Sequence, residues 1–145
     1  MELVSTHICM TKDLGVHGNL FGGKMLSALD ESVAAYATVY CRTPNMVTLK
    51  LDEVVFKAPV KVNNQIRIYC EVLEIGKSSI RIAAEARKIS YYTGEESLVC
   101  HTVFTFVRID DDGKSVPIAE HVREKFNRKR RKTENVTTTE EKDEK

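Results

Sequence analysis

An α+β fold, one long helix set against an antiparallel sheet, is what two patterns in this sequence predict. Residues 23–40 repeat their apolar side chains at helical spacing, whereas the chain from Pro44 to Ile109 alternates with a period of two. With 145 residues it has the size of a single domain and enough side chains for a real core.

Taken in order, residues 3–11 alternate loosely and run into Asp13, Gly15 and Gly18, which predicts a strand entering a loop. The helix follows. Met25, Leu29, Ser32, Tyr36 and Tyr40 form one row along it, with Leu26, Val33 and Ala37 as a second row beside the first. Val47, Leu49 and Leu51 then share a face, and Val54 and Phe56 resume that face after a slip near Asp52, where a β-bulge is expected. Ile66, Ile68, Cys70 and Val72 make the next alternating set, Ile80, Ile82, Ala84 and Ala86 another, and residues 98–109 a long last strand. Gly76 and Gly94 sit at the turns. Ala28, Ala34, Ala35 and Ala37 let strands approach the helix closely. One helix cannot cover a whole sheet, and the long last strand is expected to leave an exposed edge, so at least a dimer is predicted. From Asn127 the apolar periodicity fades, which predicts a folded domain over 1–126 and a charged, disordered tail over 127–145.

Composition excludes several classes of function. The formal net charge is +1, and the basic run Arg128 to Lys132 stands alone, with no helix-turn-helix pattern beside it. Nucleic acid is therefore not expected as a partner. Glu2, Ser5, His7 and Lys12 interrupt the first residues, and no apolar run reaches bilayer length, so a cytoplasmic location and no membrane contact are expected. Cys9, Cys41, Cys70 and Cys100 form no CxxC pair and lie near no histidine cluster, which predicts reduced thiols and no metal site.

Chemistry concentrates at one place. Gly18-Asn19-Leu20-Phe21-Gly22-Gly23 opens the helix that carries Asp30 and Glu31. A glycine-bearing loop there leaves backbone N–H groups free at the positive helix end, where an oxyanion can be held while Asp30 acts on the same centre. Glu31 points about 100° away on the helix and is expected at the surface.

These residues carry a resemblance. Gly18 to Gly23 with Asp30 seven residues beyond, the segment Val54-Val55-Phe56-Lys57-Ala58-Pro59-Val60, and the turn Ile75-Gly76-Lys77-Ser78-Ser79-Ile80 resemble the acyl-CoA thioesterases of the hotdog fold, in particular the YciA-like and cytosolic acyl-CoA hydrolase branch. The similarity runs from about His7 to Val107. It implies a long helix wrapped by a curved antiparallel sheet, active sites at a dimer interface, and dimers joined into hexamers. Carried onto this chain, it implies that Asp30 activates water or attacks the thioester carbonyl, and that the Gly23 N–H polarises the carbonyl oxygen from the opposite subunit. Where the family commonly has an asparagine, this chain has Gly15, which leaves Asn19 or His17 to orient water or substrate. The coenzyme A phosphates would meet Lys77, Ser78 and Ser79, with Arg81 at the rim and Lys57 as a weaker contact. Phe21, Met25, Phe56 and Leu29 are candidate walls for the acyl chain. No cofactor is implied beyond the coenzyme A of the substrate itself. Two alternatives stand beside this reading: a hotdog dehydratase pairing His17 with Glu31, although Gly18-Asn19 replaces the expected His-Phe-Pro-Gly type loop, or an acyl-CoA-binding regulator using the basic run for DNA.

Overall fold

A computed structural model of the chain describes residues 1–143. Strand β1 (Glu2–Ile8) leads through a short 3-10 helix into α1 (Gly22–Cys41), and then come β2 (Met46–Leu51), β3 (Val55–Phe56), β4 (Gln65–Ile75), β5 (Ser79–Ile89), β6 (Glu96–Arg108) and α2 (Glu120–Asp143). The sheet order is β1-β4-β5-β6-β2, every pair antiparallel, and β3 continues the line of β2 along β6. Helix α1 lies on one face of this sheet.

Of the predicted helical rows Met25, Leu29, Ser32, Val33 and Ala37 are buried, whereas Leu26, Tyr36 and Tyr40 are only half-buried. Met25, Leu29, Ser32, Val33, Ala37 and Cys41 point inward, where they meet Ile66, Ile68, Cys70, Ile80, Ile82, Ala84, Ala86, Phe104 and Phe106. Removing each large side chain from water contributes about 1.5–3 kcal/mol, so this shared layer holds helix and sheet together. Helix α1 ends where Arg42 adopts the left-handed conformation (φ 58°), with Pro44 two residues on, a position where continuing the helix is disfavoured.

Three expectations are corrected. The long last strand is not an edge: β6 is flanked by β5 and by β2 with β3, and the edges fall on β1 and β2. The register slip lies between Thr48 and Lys50 rather than at Asp52. At Asp52 the strand breaks instead, since Asp52 takes Arg81 at 2.9 Å and Lys50 at 3.3 Å, and its carbonyl accepts the Thr102 hydroxyl at 3.3 Å. The third correction concerns the tail, where α2 carries on from Glu120 to Asp143 through the segment expected to be disordered. Val122 and Phe126 anchor its start in the core region. Beyond them residues 127–140 are exposed, sustained as helix by Lys, Arg and Glu and by an Arg130–Glu134 pair one turn apart. Glu144 and Lys145, which end the predicted tail, lie outside the described residues.

The outer sheet face carries a charged network. Glu96 accepts the Tyr69 hydroxyl at 2.6 Å and Arg67 at 3.1 Å, with Arg87 at 3.5 Å, while Arg87 stacks 4.1 Å above the Tyr69 ring. The Tyr69 hydrogen bond, helped by both arginines and opposed by burial, holds the Glu96 carboxyl below its ordinary value. A lowered folded value means that Glu96 stabilises the fold above the unfolded carboxylate value of about 4.3, and that this contribution is lost as pH falls through the lower folded value. Glu96→Gln is expected to flatten the acid side of a plot of melting temperature against pH. An unchanged acid slope would show that the network adds no pH-dependent stability.

All four cysteines are free and buried. Burial pushes the Cys41 and Cys100 thiols up to about 11 and Cys70 up to about 12. Thiolate is the reactive form, so the native protein is expected to react with an aromatic disulfide reagent at least about tenfold more slowly than the unfolded chain. Four fast equivalents from folded protein would contradict this.

Candidate active site

The start of α1 is built by the loop before it. Leu14 bridges to Leu20, the Gly15 N–H donates to the Asn19 carbonyl at 2.7 Å, and Gly18 takes a positive φ of 75° that suits glycine. This closes a tight loop. The Leu20 N–H then donates to Val60 O at 2.7 Å and the Phe21 N–H to Asp13 O at 2.9 Å, which pins the loop to its surroundings just before the helix begins.

Phe21 is the residue flanking the helix and supplies no side-chain cap. Lys24 and Met25 donate back to the Phe21 carbonyl. Among the described residues, the N–H groups of Gly22 and Gly23 have no hydrogen-bond partner, as the first donors of a helix lack one within it. Both glycines sit under aromatic rings. A Cβ on Gly23 would lie 2.9 Å from Phe21 Cε1, and one on Gly22 would lie 3.6 Å from Phe56 Cζ. A Cβ at position 15 would also come within 3.4 Å of the Phe21 ring, so glycine there leaves the ring its space.

Two clefts meet at this point. One, of about 420 Å³, is lined by Leu20, Met25, Phe56, Ala58, Val60 and Val99, with Asn19, Gly22 and Lys57 at its border. The other, of about 640 Å³, holds His17, Phe21, Lys12 and Lys24 and shares Asn19, Leu20 and Gly22 with the first. The structure thus brings Gly22, Asn19, Phe56, Lys57 and Met25 together, with Gly23, Phe21 and His17 beside them. Leu29, by contrast, is wholly buried in the core and lines neither cleft.

Asp30 lies two turns further along α1. Seven residues correspond to about 10 Å of rise and about 20° short of two full turns, so Asp30 and Gly23 share a face of the helix without being close. Its carboxylate is exposed and accepts the Thr48 hydroxyl at 2.7 Å. Thr48 belongs to the edge strand β2, whose Val47 and Leu49 are 40% and 66% exposed. The acid therefore stands beside an apolar, unpaired sheet edge.

The other candidates separate. Lys77 and Ser78 lie in the β4–β5 turn and Ser79 opens β5, where it registers with Val107, whereas Phe56 registers with Cys100 and through it with Ala86. Seven positions along β5 correspond to about 23 Å, so within one chain this turn is remote from the start of α1. Its carbonyls are engaged in the fold, Lys77 O accepting Ile118 N–H and Ser78 O accepting Arg108 N–H. Arg81 is occupied by Asp52 and by Glu74 at 3.6 Å. The Asn19 side-chain oxygen accepts Lys61 Nζ at 2.9 Å. Glu31 is exposed and lines a smaller cleft with His7 that borders the one holding His17 through Asp13, Leu20 and Lys24, and within one chain Glu31 and His17 line different clefts.

Thr48 and Lys61 escaped the sequence reading. A threonine in an alternating strand and a lysine in a loop look like ordinary surface residues, and only the fold shows that one holds Asp30 and the other Asn19.

A long helix wrapped by an antiparallel sheet, with free amides at its start and an acid on its flank, defines a class of hotdog enzyme. A family model of the thioesterase superfamily matches residues 17–91. The uncharacterized acyl-CoA thioester hydrolase YkhA of Bacillus subtilis is 32% identical over 123 residues, covering 85% of this chain and 71% of its own. The acyl-CoA thioester hydrolase YciA of Salmonella typhimurium is 29% identical over 120 residues, covering 81% and 90%. A hexameric hotdog-fold thioesterase of Campylobacter jejuni superposes with a TM-score of 0.72 at 32% identity, over 84% of this chain and 93% of that one. The chain belongs to the thioesterase superfamily. Within it, the sequence stands beside the YciA-like hydrolases.

Proposed function

We propose that this thioesterase hydrolyses acyl-CoA to a free acid and coenzyme A at a site shared by two subunits. The observation that carries the reading is the placement of Gly23 and Asp30 on one helix face about 10 Å apart. A carbonyl oxygen held by the Gly23 amide cannot have its carbon within reach of the same chain's Asp30. A second copy packed edge to edge on β2, with its helix running the other way, brings its own Asp30 to that carbonyl. The exposed Val47 and Leu49 beside Thr48 supply an apolar surface for such packing.

In this arrangement the Asp30 carboxylate takes a proton from water, which attacks the carbonyl carbon, or attacks that carbon itself, in which case water then cleaves the mixed anhydride left by loss of the thiolate and frees both the acid and Asp30. The Gly23 N–H stabilises the charge gathering on the oxygen, and the C–S bond breaks to release coenzyme A as thiolate, which takes up a proton. Thr48 orients the acid. His17 is the exposed group beside the helix start that orients water or thioester, with Asn19 behind it. The Lys77-Ser78-Ser79 turn, remote from Gly23 in its own chain, lies nearer to Asp30's edge strand, since Ser79 and Val47 both register with Val107. There it offers one lysine and two hydroxyls to the coenzyme A phosphates. Arg81 adds charge only in so far as it leaves Asp52, and Lys57 stands at the acyl end.

The hexameric state of the Campylobacter jejuni neighbour supports an assembly of three dimers here. The four free, buried cysteines support the reducing, cytoplasmic location included in the proposal. Among the described residues no helix is long and apolar enough to cross a membrane. The test is release of free thiol from acyl-CoA by the purified protein. No release from any acyl-CoA would overturn the function, and hydration of an enoyl thioester would favour the dehydratase instead.

A further inference from the structure

Both oxygens of Asn19 are already engaged. Its main-chain carbonyl accepts the Gly15 N–H at 2.7 Å, and its side-chain Oδ1 accepts Lys61 Nζ at 2.9 Å. An ammonium group has three donors and no acceptor, so Lys61 decides which way round the carboxamide sits, with oxygen toward the lysine and Nδ2 away from it. Among the described residues that nitrogen has no hydrogen-bond partner. The lysine is itself held. Its N–H donates to Asn64 Oδ1 at 2.9 Å, its carbonyl accepts the Asn64 N–H at 3.1 Å, and the preceding carbonyl, Val60 O, accepts the Leu20 N–H at 2.7 Å. Two successive residues of one loop thus clasp two successive residues of the other, Val60 with Leu20 and Lys61 with Asn19.

The two clefts at the start of α1 share Asn19, Leu20 and Gly22. Of these, Asn19 alone carries a polar side chain, and with its oxygen spent on Lys61 that side chain has only donors to offer. Beside it stand the Gly22 and Gly23 N–H groups, which also lack partners among the described residues. Such a group of donors suits an acceptor that gains negative charge and gives nothing to a ligand that must donate. The positive charge on Oδ1 polarises the carboxamide and strengthens its N–H groups as donors.

We infer that the Asn19 side-chain amide is a second hydrogen-bond donor to the thioester carbonyl oxygen, beside the Gly23 N–H, and that Lys61 is the positioning residue that fixes its orientation. The inference rests on the reading of the protein as an acyl-CoA hydrolase and adds a catalytic residue together with the group that turns it. Both residues belong to the chain that supplies Gly23, so the second subunit is needed only for its Asp30.

Turnover of butyryl-, octanoyl- and palmitoyl-CoA is measured for the wild type and for variants at both positions, with melting temperatures taken alongside. Asn19→Asp keeps the size of the side chain and the contact with Lys61 but replaces the donors by an anionic oxygen. Its kcat is expected to fall by at least about 10²-fold, with KM within about threefold and a melting temperature equal to the wild type or higher. A purely structural Asn19 would leave kcat unmoved by this change. Lys61→Met frees the carboxamide to turn and is expected to lower kcat about tenfold, whereas Lys61→Arg keeps a donor-only partner and stays within about threefold of the wild type. On an Asn19→Ala background Lys61→Met is expected to change kcat by less than about twofold, because the lysine acts only through the asparagine.

Wild-type kcat in folded Asn19→Asp, or a loss confined to KM, would overturn the role of Asn19. Equal losses from Lys61→Met with and without Asn19 would overturn the role of Lys61. If Asn19→Asp fails to fold, the cycle of Asn19→Ala and Lys61→Met decides. All these outcomes leave acyl-CoA hydrolysis intact, whereas absence of thiol release by the wild type from every substrate would remove the hydrolase reading and this inference with it.

Discussion

Asp30→Ala is expected to lower kcat by about 10²–10⁴-fold, the usual contribution of a positioned acid or base. Its melting temperature is expected to change little, because the side chain is exposed and its hydrogen bond is to the surface hydroxyl of Thr48. Turnover assays and thermal unfolding on one preparation check both halves. Gly23→Pro is expected to be similarly damaging for a different reason. It removes the N–H that holds the carbonyl oxygen, at a first-turn helix position where proline is otherwise tolerated. Mixing the two inactive variants then tests the shared site. In a mixed dimer one site combines an intact Asp30 from one subunit with an intact Gly23 from the other, and activity returns after subunit exchange. The second site of that dimer carries both defects. If the two groups act within one chain, no mixture recovers anything.

The second large effect is expected at the edge of the sheet. Replacing Val47 and Leu49 together by aspartate puts two charges on an apolar strand edge that the proposal buries between subunits. The expected product is folded, has lost the two-fold pairing and runs as a monomer or a trimer, with activity lowered by at least about 10²-fold, since neither half-site then has its complement. Light scattering after size-exclusion chromatography reads the mass, and circular dichroism the fold. Full activity in a clean monomer would show that one chain carries the whole site, and Asp30 would lose its assigned partner. A dimer or hexamer that survives the double substitution would place the two-fold interface elsewhere, on β1 or on the outer sheet face.

How much of this was legible from residues alone differs from element to element. The period of residues 23–40 was sufficient for α1, because a buried stripe on a helix and the glycines before it leave a local mark. Strands β4 and β5 were legible for the same reason, their inward residues all being apolar. The position of β6 inside the sheet was not, since strand order follows from pairing between segments far apart in the chain, and alternation reads the same in an edge strand as in an inner one. The break at Asp52 depended on Arg81, twenty-nine residues later, and could not be placed from the slip in phase alone. In α2 the charged composition suggested disorder, yet a run of good helix formers beginning on the buried Val122 and Phe126 continues the helix that those two anchor.

Local order along the chain by itself determined the long helix, the glycine loop that exposes its first amides, and the acid seven residues further on, because each depends on neighbours within a few turns. The tertiary structure alone decided that Thr48 grips Asp30, that Lys61 grips Asn19, that Arg81 is already engaged by Asp52, and that Phe56 leans over Gly22. Those contacts join residues tens of positions apart, and their geometry is set only when the sheet's register brings distant segments to the same place.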